Sequence, residues 1–398
     1  MIEYARIDLD NGYIGIGITT PSEQLQITKN FRLPATTGST VGVIRSDTSR
    51  YIHNYGTDNF FAGVNAGNFT MSGDGRNVGV GVNALKANTT GIGNTASGFN
   101  TLQANTTGSG NIANGYYSLY ANTTGGYNIA IGSGALINNI SGSGNTAIGA
   151  GALENYYEQS YNTALGYNAG DNDGACTYST FIGVHANAYD SYVLTNATAI
   201  GYGAIVDASN KVVIGNTSVG WIGGQVSWST LSDSRFKFNV TEDVKGLEFI
   251  KKLRPVTYQM DTKKADDFLI KNMPDSIKLK HQQGMDFTPS TAIVRSGFIA
   301  QEVELAANEI GYKSSIVSKP DDAEKNTYSL RYAELVVPLV KAVQELSKNF
   351  DDLKINQEQK NNSHAVGLPE YPDNAAAISA GLAVGDFYRT GDLLKVVH

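Results

Sequence analysis

The feature of this 398-residue chain that most restricts its fold is an asparagine that returns every 17 residues without a slip. A glycine follows each of these asparagines four positions later, and most copies also carry an alanine at the third place and a leucine at the ninth. A fixed period of this length predicts a repeat architecture in which each copy forms one structural unit. The asparagines are Asn77, Asn94, Asn111, Asn128, Asn145 and Asn162, and the glycines are Gly81, Gly98, Gly115, Gly132, Gly149 and Gly166.

Each copy has the pattern of a short strand followed by a turn. Residues 145–149 (Asn-Thr-Ala-Ile-Gly) are apolar at alternate positions, which predicts a β-strand. Because glycine has no Cβ atom, its recurrence predicts either a positive φ or a close approach to a neighbouring chain. Residues 88–91 (Asn-Thr-Thr-Gly) are typical of a turn. One 17-residue coil cannot bury its own apolar face, so we expect coils to stack on each other and against neighbouring chains.

The repeats resemble the head repeats of trimeric autotransporter adhesins and the similar repeats of phage fibres. The resemblance rests on residues 145–149 with Ala152, and on residues 198–201 with Ala204. It implies a trimeric left-handed parallel β-roll, or β-solenoid, with three chains around one axis. A single-chain β-solenoid is the alternative architecture. Before the repeats, residues 15–25 resemble a short β segment of phage and bacterial fibre proteins, to which we attach no chemistry.

Composition argues against several classes of function. The net charge of −7 and the lack of basic runs predict no nucleic-acid partner, and the lack of an 18-residue apolar run predicts no membrane insertion. The five histidines are scattered, so we expect no metal and no other cofactor. The acidic residues before position 231 form no recognisable pair, which argues against a glycan-degrading enzyme. The single cysteine, Cys176, is expected to be buried rather than reactive.

The composition changes near residues 228–230. Residues 1–230 hold 21 charged side chains and 36 of the 44 glycines, whereas residues 231–398 hold 46 charged side chains. Apolar spacing in the second part predicts a helix over 246–253 that ends before Pro255, a strand over 256–260, and another helix within 296–304. Residues 261–294 are charged and poorly patterned, which predicts a loop or insertion. The repeat part is therefore expected to be mainly β, followed by an α+β part.

The last long helix is predicted around residues 329–353. Its apolar residues follow a 4-3-4-3 spacing, which indicates a coiled-coil seam. The seam residues are Leu339, Val343, Leu346, Phe350 and Leu353. An extension of the seam toward Tyr332 would place Pro338 inside the helix unless the proline lies in the first turn, so the seam is assigned only from Leu339 onward. A solvated helix that packs on its own domain is the alternative.

Four motifs after residue 230 resemble, in their order, the endosialidase-type C-terminal chaperone peptidase. The resemblance implies a domain that trimerises, assists folding of the fibre and then cuts the chain at its own N-terminal edge. By motif position, Ser232 is the nucleophile, Lys237 is the base, and the cut falls between Leu231 and Ser232. The motifs are Ser-Asp-x-Arg-x-Lys at 232–237, Leu-Arg-Pro-Val-Thr-Tyr at 253–258, Gly-Phe-Ile-Ala-Gln-Glu-Val-Glu at 297–304, and the segment 335–346.

The chemistry of such a dyad is consistent with these residue types. A serine hydroxyl needs a base, and a lysine acts as a base only when burial or a neighbouring cation lowers its pKa. Arg235 is a candidate for that cation, or else an ion-pair partner for Asp233. Because Ser232 follows the bond that it attacks, proximity is built into the chain, and each chain would react once as a serine endopeptidase. The alternative is that Ser232 and Asp233 cap a helix and Lys237 is a surface charge.

The sequence as a whole predicts a homotrimeric phage tail fibre or tailspike. It would be made in the host cytoplasm and act outside the cell on the virion tail, in contact with tail or baseplate proteins and with a host surface glycan or protein receptor. The alternative is a non-cleaving trimeric adhesin or fibre whose C-terminal domain is a permanent trimerisation and binding tip. The expected segments are an N-terminal β segment at 1–70, the repeat β-roll at 71–228, the chaperone peptidase at 229–355 and a C-terminal tail at 356–398.

Overall fold

The chain divides into two compact units, each built from two segments of sequence. The first unit comprises Met1–Ile222 with Met260–Ile293, and the second comprises Gly223–Gln259 with Val294–His398. The structure is a computed structural model that describes residues 6–8, 13–16, 25–27, 33–46, 48–72, 74–171, 175–189, 193–225, 228–273, 275–320, 322–324, 327–365, 368–390 and 393–398. Most of the β segment predicted at residues 15–25 lies outside the described residues.

The first unit begins with a three-stranded sheet and a separate antiparallel pair of strands, both of which precede the repeats. A three-stranded sheet contains β1 (Arg6–Asp8), β2 (Tyr13–Ile16) and β3 (Leu25–Ile27). Next, β4 (Ile44–Ser46) pairs antiparallel with β5 (Ser49–His53), and β5 pairs antiparallel with the first strand of the repeats. The strands β4 and β5 form one edge of a 12-stranded sheet, and the other ten strands of that sheet pair parallel to one another.

The repeats form a β-solenoid of stacked coils over residues 60–214, as predicted. Each coil contributes one short strand, and equivalent residues of successive coils pair in register, for example Ala130 with Ala147 and Ala147 with Ala164. The strands are β6 (Phe60–Ala62), β7 (Val78–Val80), β8 (Thr95–Ser97), β9 (Ile112–Asn114), β10 (Ile129–Ile131), β11 (Thr146–Ile148), β12 (Thr163–Leu165), β13 (Thr180–Ile182), β14 (Asn187–Ala188), β15 (Thr198–Ile200), β16 (Ile205–Val206) and β17 (Val212–Ile214). The pair β14 and β16 lies outside the main sheet.

Two stacks of small and branched side chains fill the interior of the solenoid. The alanines at the third place and the leucines at the ninth are fully buried in every coil that carries them. They are Ala96, Ala113, Ala130, Ala147 and Ala164, with Leu85, Leu102, Leu119, Leu136 and Leu153. Cys176 is also buried, as predicted, and burial raises the pKa of its thiol, which makes it less reactive.

The glycine that recurs every 17 residues meets both conditions that favour glycine. Its φ lies between 127° and 140° in the seven coils from Gly81 to Gly183. A Cβ atom on Gly166 would lie 2.6 Å from the carbonyl oxygen of Gly183. A close approach to the next coil of the same chain therefore accompanies the positive φ, and an approach to a neighbouring chain stays a prediction.

Buried asparagines form a ladder along the solenoid. The Asn128 side-chain oxygen accepts a hydrogen bond from the backbone N–H of Asn145 at 2.9 Å, and the Asn128 amide nitrogen donates to the Gly142 carbonyl at 2.8 Å. A second ladder runs through the turns, where the Asn105 amide nitrogen donates to the Asn88 side-chain oxygen at 2.8 Å. Each coil therefore satisfies backbone groups of its neighbour, because a buried polar group needs a partner.

Residues 260–293, which we call the helical excursion, belong to the first unit. They contain α2 (Thr262–Leu269), α3 (Asp275–Gln282) and α4 (Thr288–Ala292), so of the two predicted alternatives the loop was wrong and the insertion is consistent with the structure. The capping residue Asp261 accepts a hydrogen bond from the Lys264 N–H at 2.9 Å and starts α2. The excursion packs on the last coils of the solenoid.

The second unit is a mixed α/β region around Phe249, Val303 and Ile316, which are almost fully buried. The antiparallel pair β18 and β19 aligns Val256 with Gly297. The elements are a 3₁₀ helix (Ser234–Phe236), α1 (Leu247–Ile250), β18 (Val256–Gln259), β19 (Val294–Gly297), α5 (Ala300–Glu309), β20 (Val317–Ser318), β21 (Ser329–Leu330), a 3₁₀ helix (Tyr332–Leu335), α6 (Val336–Ala365), α7 (Asn374–Ser379), β22 (Phe387–Thr390) and β23 (Leu393–Val396). Within the described residues, no helix is long and apolar enough to span a membrane.

The long C-terminal helix α6 starts at Val336, so Pro338 lies in its first turn, where the ring is tolerated. One side of the helix contacts its own unit: Ala342 is buried, and the Glu345 carboxylate accepts the Leu247 N–H at 2.7 Å. The predicted seam residues lie elsewhere on the helix surface and are 51–66% exposed, from Leu339 to Leu353. The seam therefore does not pack on the helix's own unit.

Candidate functional site

A tight turn brings Ser232 and Lys237 together. The 3₁₀ helix Ser234–Phe236 is capped by Asp233, whose carboxylate accepts the Arg235 N–H at 2.9 Å. At the other end, the Lys237 N–H donates to the Ser234 carbonyl at 3.2 Å. The side chains that flank this turn then meet: the Lys237 ammonium donates a hydrogen bond to the Ser232 Oγ atom at 2.8 Å.

This contact has the geometry that a nucleophile and its base require, since such pairs act within hydrogen-bond distance. Both side chains are exposed in the single chain. A lysine accepts a proton only in its neutral form, which exclusion of water favours. The arrangement therefore places a hydroxyl and an amine within hydrogen-bond distance, with both side chains open to water.

The structure also distinguishes between the two roles considered for Arg235. The Arg235 guanidinium pairs with Asp233, with Nη2 at 2.6 Å from Oδ2 and Nε at 3.1 Å from Oδ1. These hydrogen bonds lower the pKa of the Asp233 carboxyl, so the carboxylate stays charged well into acid. Arg235 is thus an ion-pair partner that helps to hold the turn, and its charge is balanced by Asp233.

Several apolar residues close in sequence to Ser232 and Lys237 have exposed side chains. Trp228, Leu231, Phe236 and Phe238 are exposed, with Leu231 at 80% and Phe238 at 85%. Sequence reasoning did not single out Phe236 and Phe238, although two phenylalanines flanking the proposed base were a visible signal. An exposed apolar group of this size on a soluble protein typically marks an interaction surface.

The comparisons with known proteins bear on this segment. A family model described as chaperone of endosialidase matches residues 232–312. The match starts at Ser232, includes the first three motifs of the sequence analysis, and spans the helical excursion. It confirms the resemblance to that family for this part of the chain. Comparison of the chain with curated proteins and with solved structures gave no match.

Proposed function

We propose that this protein is a homotrimeric tail fibre or tailspike of a phage, whose C-terminal part assists folding of the β-solenoid and then cuts the chain between Leu231 and Ser232. The observation that carries the proposal is the hydrogen bond between Ser232 and Lys237 at the first residues of the chaperone match. The preceding β-solenoid is the kind of repeat structure that such a chaperone would assemble. On this basis the mature protein acts on the virion tail, outside the cell.

An apolar stripe on the outer face of the solenoid supports the trimer. The third residue of each of four successive strands is apolar and is 37–47% exposed. Because the strands pair in register, these residues form one continuous line. They are Ile131, Ile148, Leu165 and Ile182. A contiguous apolar surface of this kind is typical of a protein interface, and two further copies of the chain would cover it around a shared axis.

The exposed seam of α6 supports the same assembly. Its residues, from Leu339 to Leu353, keep heptad spacing and point away from the unit that carries them. Three such seams would bury one another in a parallel coiled coil. This contact gathers the three chains at their C-terminal ends, so the solenoid coils of different chains begin to fold in close proximity.

The proposed cut proceeds in two steps. Lys237, as the neutral amine, takes the proton from the Ser232 hydroxyl, and Oγ attacks the carbonyl carbon of Leu231. The Leu231–Ser232 amide bond breaks, its nitrogen is protonated to become the amino group of Ser232, and Leu231 is left as an ester on Oγ. Water then hydrolyses the ester, which restores the Ser232 hydroxyl and gives Leu231 a free carboxylate. The adjacency of Ser232 to the attacked bond supplies the proximity.

Assembly would switch this reaction on. Partner chains that cover Trp228, Leu231, Phe236 and Phe238 would exclude water from the dyad. A drier environment favours the neutral amine over the ammonium of Lys237, because burial disfavours charge. The cut would then follow trimerisation, and chains that have not assembled would keep their chaperone covalently attached.

A column of tyrosines supports contact with a host surface glycan or protein receptor. Tyr127, Tyr161 and Tyr178 occupy equivalent positions in their coils and are 57–76% exposed. The rings of Tyr161 and Tyr178 stack with their centroids 5.1 Å apart. Flat aromatic surfaces of this type are enriched in binding interfaces. Tail or baseplate proteins remain the proposed partners for the N-terminal segment.

The decisive experiment is expression of the full chain, followed by a denaturing gel and mass spectrometry. Wild type should give two fragments, one ending at Leu231 and one beginning at Ser232, whereas Ser232→Ala and Lys237→Ala should stay intact. The matched controls are Ser234→Ala and Lys245→Ala, which change nearby residues of the same types and should still be cut. An intact wild-type chain would contradict the cut and favour the alternative of a permanent trimerisation tip. Light scattering that reports a monomer would contradict the fibre architecture.

A further inference from the structure

The proposed cut site lies between two segments of sequence that fold into one unit. The solenoid precedes the Leu231–Ser232 bond, and the helical excursion follows it, yet both belong to the first compact unit. A cut at this bond would leave the two segments on different fragments. Whether the fragments separate then depends on the contacts between the excursion and the last coils of the solenoid.

Part of this contact is apolar. Ile270 and Met273 of the excursion pack with Tyr189 and Ile205 of the solenoid in a cluster whose members are at most 5% exposed. The Asn272 amide nitrogen also donates to the Tyr189 hydroxyl at 3.3 Å. Because these residues lie about 80 positions apart in sequence, this packing exists only when the excursion is docked.

The other part is a buried polar cluster around Asp266, which is 1% exposed. Its carboxylate contacts His281 Nε2 at 3.0 Å, accepts the Gln282 amide at 3.0 Å, and accepts the hydroxyl of Thr217, just beyond the last solenoid strand, at 3.3 Å. Tyr202 donates its hydroxyl to the backbone carbonyl of Gln283. Two of these hydrogen bonds, from Thr217 to Asp266 and from Tyr202 to Gln283, join the solenoid side to the excursion, and undocking would break both.

Gly203 shows that the coil itself is adapted to the excursion. At the equivalent position, five other coils carry side chains at φ of 50–58° and two carry Gly134 and Gly151, so the backbone accepts a side chain there. The five residues with side chains are Asn83, Asn100, Tyr117, Asn168 and His185. At Gly203 (φ 58°), a Cβ atom would collide with the Met285 side chain and lie 3.1 Å from His281 Cε1. The missing side chain leaves room for the excursion.

From these contacts we propose that the helical excursion closes the end of the solenoid and holds the C-terminal fragment on the fibre after the cut. This inference rests on the proposed cleavage between Leu231 and Ser232. The end of a solenoid needs a cap, because its last coil has no neighbour to cover it. The cut breaks one peptide bond and none of the docking contacts. The fragment therefore becomes a non-covalent subunit, and its departure requires the excursion to undock.

The test uses the full chain with Ser232→Ala and a recognition site for a sequence-specific protease inserted between Thr230 and Leu231. After complete digestion, confirmed on a denaturing gel, size-exclusion chromatography with light scattering should show both fragments eluting together. Gly203→Tyr in this background should raise the amount of free C-terminal fragment at least about tenfold. The matched control is Gly134→Tyr, at the equivalent position of another coil, where a Cβ atom meets nothing within 4 Å.

A second pair of variants leaves the solenoid sequence unchanged. Ile270→Asp, on the buried side of the excursion, should release the fragment, and Lys263→Ala, on its exposed side, should not. Free fragment from the digested parent, or equal retention in Gly203→Tyr, Ile270→Asp and their controls, would overturn the inference. Because the added protease makes the cut, failure of self-cleavage leaves this test intact, and the two outcomes stay distinguishable.

Discussion

The solenoid and the second unit differ in where their side chains find partners. In the solenoid, alanines, leucines and asparagines are buried against the next coil of the same chain, and every coil repeats the same contacts. In the second unit, the seam of α6 and the residues around Ser232 are apolar and exposed. The solenoid therefore buries a repeating interior within one chain, whereas the second unit combines a smaller core with a long exposed apolar seam.

The difference bears on how folding of the repeats would start. A coil that depends on its neighbour needs a defined start, because the first coil has nothing to stack on. On the proposed function, the exposed apolar seams would bring copies together before the repeats form. The second unit would then supply the local concentration at which the solenoids of three chains nucleate.

The largest expected effect is on the solenoid backbone. Gly166→Ala should prevent folding or cost about 4 kcal/mol or more of unfolding free energy, because its Cβ would lie 2.6 Å from the Gly183 carbonyl oxygen at φ 140°. Gly134→Ala keeps a positive φ of 68° but meets no atom, so it should cost only about 1 kcal/mol. The melting temperatures of both variants are measured by circular dichroism. Equal melting temperatures would contradict the close-approach argument.

The next effect concerns assembly of the second unit. Leu346→Asp with Phe350→Asp places charge on two exposed seam positions of α6 and should convert the trimer to monomers in light scattering. The cut should be lost with the trimer, because Ser232 and Lys237 would remain exposed to water. Ser347→Asp puts the same charge beside the seam and should leave both trimer and cut unchanged. A trimer that survives the double variant would show that α6 is not the assembly contact.

Much of the solenoid could be predicted from sequence because its contacts repeat at a fixed spacing. The alternation at residues 145–149 located β11 to within a residue, and the alanines and leucines identified the interior. The asparagine ladders were missed, since a recurring asparagine also suits a turn. The excursion was predicted only as a loop or insertion, without its helices, because Ile270 and Met273 find their partners in the distant solenoid coils, which no local pattern reveals.

The candidate site was predicted in part. The family motif named Ser232 and Lys237 as a pair, and a 3₁₀ turn between them brings their side chains within hydrogen-bond distance. Their roles as nucleophile and base stay a prediction. The role of Arg235 could not be decided from sequence, because the motif fits both a cation beside the Lys237 base and an ion-pair partner for Asp233. The exposure of Leu231 and Phe238 could not be read from sequence, because apolar residues are buried in most proteins.

A smaller effect is expected within the solenoid interior. Asn128→Ala should cost about 2 kcal/mol, because it strands the Asn145 N–H and the Gly142 carbonyl in a buried position. Asn114→Ala removes the same side chain from an exposed position one coil earlier and should change stability by less than about 0.5 kcal/mol. Denaturant titration of both variants gives the two unfolding free energies, which can be compared when the denaturant slopes (m-values) are equal. Similar losses of unfolding free energy in both variants would mean that the hydrogen bonds of the asparagine ladder do not stabilise the solenoid.

The smallest effect concerns the ion pair beside the dyad. Because Arg235 lowers the pKa of Asp233, the pair contributes stability at neutral pH and loses it as the pH falls through the lowered value. Asp233→Asn should therefore slow the cut at pH 7 by less than about fivefold, since the pair is exposed and screened by water. The difference in stability between wild type and variant, read from thermal melts, should shrink in strong acid, where both carry a neutral side chain at this position. The cutting rates are compared at pH 7 from the cleaved fraction on gels, with Arg235→Gln as a second way to break the pair. A stability difference that grows in acid, or a variant that is not cut at all, would show that Asp233 does more than hold the turn.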